Sequence, residues 1–344
     1  MTSIVRGYAA RAVGQPLEPF TYESPKLGAH DVRVSVTHCG VCHTDIHAID
    51  DYYGITEYPF VPGHEIVGYV SELGQAATGL KEGDRVGIGW QGRSCMECEW
   101  CLKGEEQLCR DIETRATWKP YGGFSSSVVV DSRFAYRLPN ESTSEVAAVL
   151  MCAGVTVYSP LRKYAEQSSK IGIIGVGGLG HLAIQFASAL GYNVTAISSS
   201  PEKKDEALAF GADHFILSTD PRERARMRQI DGDDPVHGFD LLLCTAIGKL
   251  DWETLMMALK KNGRLVLVGF PDVALNSTDL VAHQLSITGS FIGSRAMMKE
   301  MLLFAQEHGI RPEVELMPMA QVNEAIKKVK ENKARYRIVL VNDK

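Results

Sequence analysis

The sequence predicts an α/β fold in two parts, a mostly-β domain followed by a doubly wound parallel sheet. Three observations carry this. Short β-patterned runs fill the chain to about Leu150, apolar strands alternate with helical stretches from about Ala153, and an apolar run near the start of that alternation breaks into a glycine-rich turn. A length of 344 residues sets about two domains as the prior, and 45% hydrophobic residues is ordinary for a globular protein. A net charge of -6 gives no basic footprint for nucleic acid or an anionic membrane surface. No run approaches the ~20 apolar residues of a membrane span. The expected partner is a small molecule, with neither nucleic acid nor membrane involved.

In the first half, runs such as Val32-Arg33-Val34-Ser35-Val36 and Ile66-Val67-Gly68-Tyr69-Val70 are separated by turn residues and read as strands. In the second half the candidate strands are Ile171 to Ile174, Val194 to Ile197, His214 to Ile216, Asp240 to Leu243, Leu265 to Val268 and Ser286 to Thr288. Strands alternating with helices predict a parallel sheet covered on both faces, and six of them suggest a complete dinucleotide-binding fold. Past Gly289 come a helical stretch around Met297 to Glu307 and a second with Val322, Ala325, Ile326 and Val329 on one face. A strand-like Tyr336 to Val341 closes the chain. This tail is too short for a domain, so the expected division is 1-150 completed by 289-344, with 151-288 between.

Cys95, Cys98, Cys101 and Cys109 fall within fifteen residues in the spacing Cys-x2-Cys-x2-Cys-x7-Cys. Four thiolates from one loop saturate a Zn2+ tetrahedrally at ~2.3 Å and leave no position for substrate, so the loop is expected to be structural. The alternative is a set of disulfides, which the absence of a secretory N-terminal pattern disfavours. The same reasoning gives a cytoplasmic expectation.

Ile171-Gly172-Ile173-Ile174 runs into Gly175-Val176-Gly177-Gly178-Leu179-Gly180 and then the helix-like His181 to Ala187. Gly175 serves the tight turn and Gly177 a close approach of pyrophosphate. Gly180 serves helix-strand packing, with the phosphates at the helix N-terminus. Where an NAD site carries an acid after the second strand, this chain has Ser198-Ser199-Ser200, followed by Glu202, Lys203 and Lys204. A hydroxyl from Ser199 and a cation from Lys204 suit a 2'-phosphate, which predicts NADP(H). Glu202 is the opposing feature.

Cys39, Cys42, His43, His47, His64 and Glu65 lie within 27 residues, with Cys152 far off. Gly63-His64-Glu65-x2-Gly68-x5-Gly74-x8-Gly83-Asp84-x-Val86 resembles the signature of the medium-chain zinc alcohol dehydrogenases. Cys42-His43-Thr44-Asp45, the four-cysteine loop, Cys152-Ala153-Gly154-Val155-Thr156 and the glycine turn follow in that family's order, over essentially the whole chain. Cys42 to His47 and the serine turn look most like the cinnamyl-alcohol-dehydrogenase branch. The resemblance implies a GroES-like catalytic domain and a Rossmann coenzyme domain. It implies two Zn2+ per chain and a homo-oligomer, dimer or tetramer, acting on an aromatic or medium-chain primary alcohol or aldehyde.

By the same resemblance Cys42, His64 and Cys152 hold a catalytic zinc, Glu65 is an alternate ligand, and Asp45 fixes the imidazole of His64. Thr44 passes the alcohol's proton to the nicotinamide ribose and His47 passes it to solvent. His43 approaches the cofactor pyrophosphate, Thr156 lines the nicotinamide, and Ser290-Phe291-Ile292-Gly293 lies near it. Trp90 resembles a pocket wall and Trp118 is a candidate second wall, apolar surfaces suited to flat substrates. The family motif aligns Cys42 and not Cys39, so Cys39 is expected to be a buried thiol. The other histidines (30, 38, 181, 214, 237, 283 and 308) match no ligand position and read as surface or core.

Three rivals stand beside this reading. A zinc-independent quinone or enoyl reductase on the same scaffold would lack the open-site ligands. A zinc-ribbon binding protein on nucleic acid would need a basic loop, whereas Glu97, Glu99, Glu105 and Glu106 accompany Lys103 and Arg110. A catalytically silent scaffolding member has no need of intact ligands.

Overall fold

In the computed structural model, which describes residues 3–114, 121–228 and 238–342, the chain falls into two units. One comprises Met1–Cys152, Gly293–Glu307 and Arg311–Lys344, and the other Ala153–Ile292 with His308–Ile310.

The first unit is built on a sheet whose central strand is the 11-residue Asp31–Val41. One edge of that strand pairs antiparallel with Glu65–Leu73. Its other edge is shared, the first half taking Ser127–Asp131 and the last residues Arg337–Val341. Alternation explains the pairing, because Val32, Val34 and Val36 are all buried while Ser35 is exposed. Val314–Pro318, Arg85–Ile88 and Ala135–Arg137 extend the sheet. Around it lies a core that includes Phe60, Ile66, Phe124, Phe134, Val322, Ala325 and Ile338. The apolar face predicted for Val322–Lys330 is thus the one that packs inward, with Val322, Ala325 and Val329 buried.

Among the described residues the second unit holds six parallel strands: β1 (Lys170–Ile174), β2 (Asn193–Ser198), β3 (His214–Leu217), β4 (Phe239–Cys244), β5 (Leu259–Leu267) and β6 (Ser286–Gly289). Their spatial order is 3-2-1-4-5-6, the doubly wound order whose switch point lies between β1 and β4. The central strands are buried on both faces and read as continuous apolar runs, which is why Leu241, Leu242, Leu243 and Cys244 are all fully buried. The predicted strands all appear, though β5 begins six residues earlier than its apolar segment, at Leu259. Leu259-Lys260-Lys261-Asn262-Gly263 is too polar to signal a strand, and Asn262 has φ 66°.

Contrary to the expectation that no run approaches a membrane span, the helical run Ser144–Tyr164 is long and apolar enough, by length and composition, to cross one, but 67% of its apolar window is buried inside the protein. Apolarity here serves a core.

Candidate active site

Strand register brings the open-site residues to one end of the first unit's sheet. Gly40 stands opposite Glu65, and Val41 opposite Ile338, so Cys42, His64, Glu65 and Arg337 arrive together. Cys42 then caps the helix α1 (His43–Ile49), whose first turn carries Asp45. Asp45 is fully buried, and its carboxylate gathers the neighbourhood. It accepts the Cys42 N–H at 3.0 Å, the Gly63 N–H at 2.9 Å and the His64 Nδ1–H at 2.8 Å. Because a carboxylate only accepts, Nδ1 of His64 carries a proton, and Nε2 is the nitrogen turned to the other donors. That nitrogen lies 3.3 Å from Sγ of Cys152. Cys152 sits in the π-helical turn Leu150–Gly154, a local widening that recurs at functional sites. Gly63, whose N–H Asp45 accepts, packs closely against Phe124 and Cys39. It has φ +107°, and a Cβ there would stand 2.7 Å from the Phe124 nitrogen and 2.9 Å from the sulfur of Cys39.

One donor atom each from Cys42, His64, Glu65 and Cys152 lies within 4.8 Å of the others. Glu65 supplies the test of fit. It is fully buried, one oxygen accepts from the Arg337 guanidinium, and Oε2 has no hydrogen-bond partner. A bare buried carboxylate oxygen costs about 1–3 kcal/mol, a cost that a cation beside it offsets. Glycine at 40 accommodates this side chain, since a Cβ would come within 2.0 Å of Oε2. Two thiols and an imidazole with a carboxylate in reserve form a zinc donor set, too soft for Mg2+ or Ca2+.

Among themselves the donors share charge unevenly: against the effect of burial, Asp45 and Cys42 raise His64 well above its ordinary value, and the hydrogen bond to Cys42 together with burial raises the Cys152 thiol. The Cys152 hydrogen bond, aided by the His64 ring, holds the Cys42 thiol well below its ordinary range despite burial. Burial pushes the Glu65 carboxyl up to about 7 against the pull of Arg337. Cys39 lies outside the donor cluster, fully buried, its thiol raised by burial.

The second cluster, Cys95, Cys98, Cys101 and Cys109, likewise lies within 4.8 Å. Sulfurs of Cys95 and Cys101 are 3.9 Å apart, and those of Cys95 and Cys109 3.5 Å. A tetrahedron of ~2.3 Å bonds has edges of about 3.8 Å, whereas a disulfide would need ~2.05 Å. All eight cysteines are free thiols. The loop is fastened by Glu106, 3% exposed, whose carboxylate accepts from Arg295 Nε at 2.8 Å and from its backbone N–H at 3.3 Å.

Of the relay candidates, Thr44 Oγ1 lies 3.6 Å from the Cys42 sulfur. His47 stacks on Tyr52 with ring centroids 4.9 Å apart, and its Nδ1 lies 3.4 Å from the Tyr53 hydroxyl. Burial lowers the His47 pKa from 6.5 although Cys42 and Asp50 raise it, so the ring is neutral at pH 7. His43 is lowered too, chiefly by burial. Trp90 is 5% exposed, and Trp118 lies outside the described residues, as does His237.

In the second unit β1 enters the turn at Gly175, where φ is +92°. A Cβ on Gly180 would strike the Gly175 carbonyl at 1.8 Å, so only glycine lets the helix α2 (Gly180–Ala189) start here. Beside Gly177 a Cβ would meet nothing within 4 Å, an open cradle suited to a ligand phosphate. Gly178 and Leu179 complete the turn. Ser199 is exposed directly after β2, and Lys204, also exposed, opens the helix Lys204–Ala209. Lys203 is instead engaged with Glu206 at 3.5 Å. Thr156 is half-buried in the helix Val155–Tyr164, and Phe291 is 46% exposed.

Sequence reasoning missed Arg337, Tyr52 and Tyr53. A lone arginine opening the apolar run Ile338-Val339-Leu340-Val341 was the available signal for the first. Nothing in spacing marks the tyrosines.

Residues 28–140 match the alcohol dehydrogenase GroES-like domain, and residues 178–307 match the zinc-binding dehydrogenase family. The chain is 40% identical to 8-hydroxygeraniol dehydrogenase of Catharanthus roseus, over 97% of this chain and 94% of that protein. It is 38% identical to NADP-dependent alcohol dehydrogenase C 1 of Mycolicibacterium smegmatis, over 98% of each. A solved cinnamyl alcohol dehydrogenase of Sorghum bicolor superimposes with a TM-score of 0.91 at 38% identity, covering 98% of both chains. With both halves matched and the donor clusters present, the chain belongs to the medium-chain zinc-dependent alcohol dehydrogenases, in their cinnamyl-alcohol-dehydrogenase-like branch.

Proposed function

We propose that this chain interconverts an aromatic or medium-chain primary alcohol and its aldehyde with NADP(H), at a centre held by Cys42, His64 and Cys152. The observation that carries the reading is the Cys42–His64–Glu65–Cys152 donor cluster with an unpartnered Glu65 oxygen, separate from the closed four-cysteine cluster. Zinc bound there supplies Lewis acidity to the substrate oxygen, and the nicotinamide supplies the hydride chemistry. The protein's own residues do the rest. Asp45 holds the His64 ring by Nδ1 and Arg337 holds Glu65 by one oxygen. Thr44 and His47 move the alcohol's proton outward. On this reading the first unit carries substrate chemistry and the second the cofactor. The test is NADPH-dependent reduction of cinnamaldehyde or benzaldehyde, followed by loss of NADPH absorbance; no turnover with either aldehyde overturns the aromatic assignment.

Ser199 and Lys204 support NADP(H), as does a relative named for NADP dependence. A carboxylate at position 199 would repel the 2'-phosphate and accept from a ribose hydroxyl instead. Ser199→Asp is therefore expected to lower kcat/KM for NADPH at least about tenfold while sparing NADH, ~1.4 kcal/mol of discrimination. Equal kcat/KM for the two cofactors in the unaltered enzyme would remove the preference.

His47 is neutral at pH 7, which suits a proton acceptor. Its replacement by alanine is expected to lower kcat for alcohol oxidation by roughly ten- to a hundredfold near neutral pH, with partial recovery on adding small buffer bases. In the unaltered enzyme this rate should fall as pH drops through a value below 6.5, where the ring gains its proton. A rate indifferent to His47→Ala takes it out of the relay.

A further inference from the structure

We infer that His181 is a positioning residue for the cofactor's pyrophosphate, acting through the peptide between Gly177 and Gly178. The inference rests on the cofactor reading above.

His181 is the second residue of α2 and is fully buried, its ring edge-on to Phe210 with centroids 5.5 Å apart. Its Nδ1 lies 3.0 Å from the Gly177 carbonyl oxygen, and its backbone N–H donates to that same oxygen at 3.1 Å. A carbonyl only accepts, so Nδ1 carries the proton. Both lone pairs of one oxygen are therefore taken by one residue.

The consequence follows from the planarity of the peptide bond. Fixing the Gly177 carbonyl toward the helix fixes the Gly178 N–H on the opposite side of the same plane, pointing out of the helix N-terminus. Donors at that terminus are the ones that meet a phosphate. Two consecutive glycines give this peptide little resistance to flipping, because neither has a Cβ to restrict φ. Nor does packing at Gly177 restrain it, as nothing lies within 4 Å of where its Cβ would be. The other side of the turn has a separate restraint, the Thr245 hydroxyl donating to the carbonyls of Ile174 at 2.9 Å and Gly175 at 3.0 Å. Without the His181 ring, the Gly177–Gly178 peptide keeps only the helical hydrogen bond.

The test is cofactor binding rather than turnover. Binding of NADPH and of adenosine 2'-phosphate, which lacks the pyrophosphate, is measured by calorimetry for the unaltered protein, His181→Phe and His181→Asn. Phenylalanine keeps a ring beside Phe210 but has no donor, and asparagine places an amide N–H near the position of Nδ1. His181→Phe is expected to weaken NADPH about tenfold with adenosine 2'-phosphate unchanged, and His181→Asn to recover affinity to within about threefold. Unchanged NADPH binding in His181→Phe overturns the assignment, and so does equal weakening of both ligands, the mark of a general packing role. Failure of the unaltered protein to bind NADPH would instead sink the cofactor reading itself.

Discussion

Replacing Cys42 by alanine is expected to lower turnover at least about 10³-fold and to take zinc from two per chain to one. The size follows from what the residue does. Cys42 is the donor whose thiol is held lowest, by Cys152 and His64, and so the one most ready to bind a cation as thiolate at neutral pH. Removing it leaves His64, Cys152 and Glu65, of which the carboxyl is pushed up to about 7 by burial. A loss of ~4 kcal/mol in transition-state stabilisation corresponds to a thousandfold in rate, a modest figure for removal of the Lewis acid. Metal content by mass spectrometry of the desalted protein, beside aldehyde reduction, decides the matter. One zinc in both proteins with undiminished reduction would move the chemistry to a zinc-independent reductase.

The four-cysteine loop and the glycine turn were legible because each is local. Their donors or glycines sit within fifteen and six residues, and chemistry dictates the spacing. The open cluster was not. His64 and Cys152 are 88 residues apart, and no spacing rule joins positions that meet through sheet register and a π-helical turn. Resemblance to a family supplied them. Arg337 lay further out of reach, being 272 residues from Glu65 and joined to it only because Arg337–Val341 pairs with the central strand. The strands of the second unit were readable because parallel strands buried on both faces are continuous apolar runs. The exception was the polar start of β5, where Leu259 pairs with Phe239 and the register then shifts, so that Lys260 to Gly263 have no register partner in β4. His181 was read only as surface or core; it is fully buried, yet burial says nothing of the carbonyl it holds.

Cys101→Ser is expected to remove the other zinc and to cost stability rather than chemistry. Structural zinc contributes folding free energy directly, about 10–16 kcal/mol in isolated zinc-finger peptides, so losing one thiolate should cost this loop several kcal/mol. Apolar packing adds little at its tip, where Leu102 is 76% exposed, although Met96 packs against the core and Arg93 at its base pairs with Asp31. A further attachment is the part-buried Glu106–Arg295 pair, which ties it to the helix Arg295–Glu307. When the loop opens, the Arg295 guanidinium, already 24% exposed, loses its partner and turns to solvent, which costs less than breaking a fully buried pair. Destabilisation should therefore spread from the loop to that helix. Limited proteolysis should cut between Gly92 and Glu113 well before any cleavage of the unaltered protein, and the melting temperature should fall by several degrees. The open cluster draws no donor from this loop, so one zinc should remain. Aldehyde reduction per folded molecule should then stay within a few-fold of normal at low temperature. Loss of both zincs together would show that the two clusters fold as one cooperative unit, and retention of both would show that three thiolates suffice to close the loop.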